Sequence, residues 1–118
     1  MKKEILQRTR RFAIDCWSFC TNVPKSREYN AYVNQLIRSS SSVGANYRAA
    51  QRAKSTADFI NKLKIVEEEA DESLYWLEIF QEISKGFEKE LKSLQNEGEQ
   101  LLAITVASIN TARRNQKK

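Results

Sequence analysis

Histidine is absent from the 118 residues, and there are only three glycines, one proline and two cysteines. Without an imidazole there is no Ser-His-Asp or Cys-His catalytic pair, no general base that titrates near neutral pH, and none of the zinc sites that need His. Three glycines leave no phosphate-cradling loop. So little Gly and Pro supports few tight turns, which excludes an all-β fold and favours long helices. Long apolar runs are missing too. The longest uncharged stretch, Gln100 to Ala112, falls short of the roughly 18–20 residues needed to span a bilayer, and it contains Gln100, Thr105, Ser108 and Asn110. Lys2 and Lys3 resemble the start of a signal peptide, but Arg8, Arg10 and Arg11 interrupt the apolar stretch that such a peptide requires. The expectation is a soluble cytoplasmic protein with no membrane partner. Cys16 and Cys20 lie one helical turn apart, but a metal would need two further ligands and no Cys or His remains to supply them. They read as two core thiols, with no metal and no cofactor.

What is present is one apolar register that repeats with steps of four and three, the spacing of helices that cross at about 20°. A first helix carries Ile5, Thr9, Phe12, Cys16, Phe19 and Val23. Pro24 ends it and Ser26 offers an N-cap oxygen for the next, so the connection falls at about 23–26. The second helix carries Tyr29, Tyr32, Leu36, Ser39, Val43, Asn46 and Ala50. Its centre, Ser39 to Ala45, is rich in small residues of poor helix propensity, which packing must hold helical and which let a neighbour come close. Ser55 or Thr56, followed by Asp58, starts a third helix with Phe59, Leu63, Val66, Ala70, Ser73, Leu77 and Phe80, and Gly86 is its natural stop. The fourth begins near Phe87 and carries Leu91, Leu94, Gly98, Leu101, Thr105, Ser108 and Ala112. Gly98 marks either a close contact or a local break. Short connections make neighbours antiparallel. The prediction is therefore all-α: an up-down-up-down four-helix bundle about 30–45 Å long, one domain over 1–118 with a basic tail at 113–118, and a core containing Phe12, Leu36, Val43, Leu63, Val66, Leu77, Leu94 and Leu101.

The third helix has more apolar surface than its stripe explains. Ile65, Trp76, Ile79 and Ile83 form a flank, with Tyr75 further out. Either the stripe is wide or the flank is a subunit interface. Charge is divided unevenly along the chain. Residues 1–54 carry eleven Lys or Arg against Glu4, Asp15 and Glu28, whereas residues 55–112 carry five Lys against twelve carboxylates, and Arg113, Arg114, Lys117 and Lys118 close the chain. Such charges can pair between helices of one bundle, or the basic side of one subunit can meet the acidic side of the next in a head-to-tail ring, with Arg38 and Glu69 helping to set the register.

No catalytic constellation is visible. Di-iron bundles need Glu-x-x-His, and Glu67, Glu68 and Glu69 point in different directions. The serine run has no partner base. An enzyme is not expected. The net charge of +5 and pI near 9.3 instead single out Arg8, Arg11, Arg48, Arg52, Lys54, Arg113, Arg114, Lys117 and Lys118 as groups that would neutralise phosphates. The alternative is that these charges serve subunit contacts alone, in an interaction ring without nucleic-acid affinity.

Asn34-Gln35-Leu36-Ile37-Arg38-Ser39-Ser40-Ser41-Ser42-Val43-Gly44-Ala45-Asn46, then Arg48-Ala49-Ala50, Asp58 to Glu72, Leu101 to Ile104 and Ser108 to Arg114, resemble the bacterial four-helix-bundle family also called 23S ribosomal RNA intervening-sequence proteins. The resemblance implies bundles assembled as homo-oligomeric rings, pentamers by expectation. It also implies binding to nucleic acid, RNA or a DNA-RNA hybrid, and a role as accessory protein to the reverse transcriptase of diversity-generating retroelements. Arg38, Ser39 and Asn46 match the family's most recognisable positions in the second helix, and Glu67 to Glu72 its signature in the third. Many members have a glutamate soon after that asparagine. This chain reads Tyr47-Arg48-Ala49-Ala50-Gln51-Arg52 instead, which places it in a more basic branch.

Overall fold

A computed structural model describes residues 2–117 and contains four helices: α1 (Lys2–Cys20), α2 (Arg27–Ala50), α3 (Thr56–Ile83) and α4 (Glu88–Gln116). The starts of α2 and α3 have a local cause. The Ser26 hydroxyl accepts the Tyr29 N–H at 3.1 Å, and the Ser55 hydroxyl accepts the Asp58 N–H at 3.0 Å. Asp58 in turn reaches back to the Lys54 N–H at 3.2 Å, a reciprocal arrangement close to a capping box. Phe87, at the N-cap of α4, has no capping side chain, and the Glu88 carboxylate accepts the Gly86 N–H instead. Gly86 does not stop α3 as expected. The helix ends at Ile83, Ser84 leaves it in an extended conformation, and Gly86 at φ 89° turns the chain toward α4.

Consecutive helices pack as antiparallel neighbours, and α1 closes the bundle against α4. All eight expected core residues are buried. An aromatic cluster fills the end near the α3–α4 connection, where Phe19 meets Phe80 edge-on at 5.1 Å and Phe87 at 5.5 Å, and Tyr29 and Tyr32 lie against Phe80. In α2 the register departs from expectation by one residue. Tyr47 is buried, whereas Asn46 is half-buried and its amide donates to the Ser42 carbonyl at 2.9 Å. A polar amide satisfies itself on its own helix and leaves the inward position to the ring.

The small residues of α2 are placed for close approach. Buried Ser39 and Ser40 donate to the Leu36 and Ile37 carbonyls, and Ser73 of α3 donates to the Ser39 hydroxyl at 2.9 Å, so these buried hydroxyls are satisfied. A Cβ on Gly44 would lie 3.3–3.4 Å from the Thr9 hydroxyl and backbone of α1. Gly44→Leu is therefore expected to lift α1 off α2 and to destabilise the fold by about 1–3 kcal/mol in urea unfolding, and an unchanged midpoint would show that the approach is not tight. Gly98 is a close contact rather than a break: α4 runs through it, and an added Cβ would meet Leu74 Cδ2 at 2.9 Å and Phe12 Cζ at 3.4 Å.

The long axis is 52 Å, beyond the expected 30–45 Å, because the helices are staggered. Arg8 of α1 lies opposite Glu97 of α4. From that level α4 continues to Gln116, about 28 Å, while α1 continues only to Lys2, about 9 Å. The α3–α4 pair thus overhangs the start of α1. No helix among the described residues is long and apolar enough to cross a membrane.

Candidate nucleic-acid interface

Antiparallel packing brings together segments that are distant in sequence. The start of α1, the α2–α3 connection and the end of α4 all lie at one end of the bundle. Arg48, Arg52, Lys54, Arg113, Arg114 and Lys117 are exposed in these segments, and none is in an ion pair among the described residues. Lys118 lies outside the described residues. Arg114 donates to the Thr111 hydroxyl at 3.2 Å, which leaves its charge uncompensated.

Arg8 and Arg11 are placed differently. Arg8 donates to both oxygens of Glu97, at 2.9 and 2.7 Å, and to Gln100 at 2.9 Å. The Glu97 hydrogen bond raises its pKa, and its charge is spent joining α1 to α4. Arg11 pairs with Asp15 one turn along the same helix. Between α1 and α2, a groove lined by Leu6, Ala13, Ser41, Gly44 and Ala45 is flanked by Arg10 and Arg48.

Arg38 and Glu69 meet within one chain. The Arg38 guanidinium donates to both Glu69 oxygens, at 2.9 and 3.2 Å, and also to Glu72. The Trp76 indole N–H donates to Glu72 at 3.1 Å, and this bond together with Arg38 holds the Glu72 carboxyl below its ordinary range. Trp76 is half-buried, with Tyr32 of α2 at 5.7 Å and Tyr75 at 5.0 Å. Ile79 is half-buried and Ile83 is exposed. Part of the third-helix flank is therefore the edge of the α2–α3 packing. The pattern-based reading missed Trp17 and Ile14 on the outside of α1, 56% and 42% exposed, because residues off the apolar stripe carry no signal in its periodicity.

Of the α3 carboxylates, Glu69 and Glu72 converge, and they do so on a cation rather than a metal. Glu69 and Glu72 turn to Arg38, Glu68 and Asp71 face solvent, and no group of His, Cys, Asp and Glu among the described residues is arranged to hold a metal. Cys16 and Cys20 are free and buried, with burial pushing their thiols up to about 12 and about 11. What the surface offers is a cluster of unpaired cations at one end.

The family model described as 23S rRNA-intervening sequence protein matches residues 1–107 of the chain. A crystal structure from Bacteroides thetaiotaomicron, described as a protein with unknown function from the S23 ribosomal protein family, superposes with a TM-score of 0.85 at 30% identity, over 93% of this chain and 99% of that one. Among curated proteins none matches this chain.

Proposed function

The chain belongs to the 23S rRNA-intervening sequence protein family, and from that premise we propose that it is a non-enzymatic accessory protein that binds nucleic acid, RNA or a DNA-RNA hybrid, as a ring-shaped homo-oligomer. The observation that carries this reading is the gathering of Arg48, Arg52, Lys54, Arg113, Arg114 and Lys117, unpaired among the described residues, at one end of the bundle. A ring repeats that end once per subunit. Modest affinity for each phosphate then becomes avidity along a strand, with little sequence preference because phosphate contacts carry no base information. The exposed side chains of Trp17, Ile14, Tyr75 and Ile83 supply apolar surface for the subunit contacts.

The test is a titration of a fluorescent RNA and of a DNA-RNA hybrid at two salt concentrations, with the mass followed by light scattering. About four phosphates neutralised per subunit would weaken binding about 50-fold between 50 and 200 mM salt. A variant with Arg48, Arg52, Arg113 and Arg114 all changed to alanine should lose most of both the affinity and the salt slope. Should the two proteins bind alike, or neither bind at low salt, the basic end serves assembly alone and the interaction-ring reading takes over.

A further inference from the structure

Phe59 occupies a core position of the α3 stripe and is nevertheless only partly buried. The overhang explains this, since among the described residues α1 stops short of Phe59 and α2 ends at Ala50, which borders it only across a recess. A groove of about 490 Å³ results, with Phe59 and buried Ala112 on its floor, half-buried Ile104 and Ser108 on its α4 wall, and exposed Thr111 and Asn115 at its lip. Phe59 also borders a more polar recess formed by Gln51, Lys54, Ser55 and Thr56. Arg114 stands at the lip, its guanidinium bonded to the Thr111 hydroxyl.

We propose that this groove receives one unstacked base of a single-stranded RNA, with flanking phosphates held by Lys54 and Arg114. This rests on the nucleic-acid reading above and adds the form of nucleic acid that the basic end prefers. An aromatic floor with Lys54 and Arg114 close by suits a ligand that is both a polyanion and flat-faced. The polar lip narrows the choice further. Ser108, Thr111 and Asn115 rise on successive turns and can bond a base edge, whereas an acyl chain would leave all three without a use. A duplex keeps its bases stacked and paired, so it reaches the cations but not the floor.

The experiment titrates a fluorescent single-stranded RNA, and a fully paired RNA duplex of the same length, against the unmodified protein, Phe59→Ala, and the double variant Ala107→Leu, Asn115→Leu. Ala107 and Asn115 are exposed, so the double variant fills the groove without entering the core and covers the case in which Phe59→Ala fails to fold. The unmodified protein should bind the single strand at least about tenfold more tightly than the duplex. Each variant should lose roughly 5- to 100-fold on the single strand and little on the duplex, with the salt slope unchanged because no cation has been removed. The proposal is overturned if the unmodified protein shows no such preference, or if both variants bind the single strand as it does. It is overturned equally if the double variant changes the mass of the RNA-free protein, which would mark the groove as a contact between copies. Binding of both RNAs with silent groove variants leaves the nucleic-acid reading standing, and no binding of either removes both.

Discussion

Phe80→Ala is expected to remove about 3–5 kcal/mol of stability. Phe80 is fully buried, and its ring is the hub against which Phe19, Tyr29 and Tyr32 all pack, so truncation leaves three aromatic side chains facing a void. The chain has few means of closing it. Each of those rings is fixed on its own helix, and the Tyr29 hydroxyl is further held by the Ile83 carbonyl at 2.7 Å. A domain of this size has about 5–15 kcal/mol in total, so the loss is a large fraction of it. Thermal unfolding followed by circular dichroism should show a midpoint lowered by about 10–20 °C. A shift of only a degree or two would mean that the cluster rearranges freely.

The second large effect is chemical. Burial pushes the Cys16 thiol up to about 12 and the Cys20 thiol up to about 11. At pH 8 the reactive thiolate is then depleted roughly a thousandfold at Cys16 and a hundredfold at Cys20, from an ordinary value near 9, before steric access is considered. Alkylation by iodoacetamide should accordingly be at least about a thousandfold slower for Cys16 in the folded chain than in urea, read by mass spectrometry against time. Modification of the native protein at the unfolded rate would contradict the burial. The same shift sets an alkaline limit. A folded thiol that holds its proton more tightly than an unfolded one stabilises the fold fully below about pH 9, and that contribution is lost as pH rises through about 11 to 12.

How much of this was legible beforehand follows from what each feature depends on. The helix register is local, a matter of spacing in one segment, and Ile5, Phe12, Leu63 and Leu77 are buried where the spacing puts them. The serine N-caps are local as well. The role of Gly98 was not, because contact or break depends on Leu74 arriving from another helix. Nor was the commitment of Arg8 and Arg38 to partners within the chain, since both pairings cross between helices. The groove at Phe59 is the clearest case. Its periodicity marks a core residue, and it is uncovered because α1 stops short and α2 ends at Ala50, a property of relative helix length and stagger that no repeat encodes. The charge pattern stood between these extremes. An uneven division along the chain was visible, but its conversion into one basic end needed the antiparallel course of four helices.

That conversion also bears on the approach to a partner. Like charges collected at one tip of a rod 52 Å long give it a strong electrical asymmetry along its axis. A polyanion exerts a torque on such a body once it comes within about one Debye length, about 10 Å at 0.1 M salt. The molecule is turned tip-first during diffusion, and fewer encounters are wasted on the wrong face. Steering of this kind raises association rates by factors of about 10 to 1,000 at low ionic strength. Under the proposed function, the lengths of the helices and the order in which they fold back would thus act on the speed of recognition, apart from any contact made once the partner has arrived.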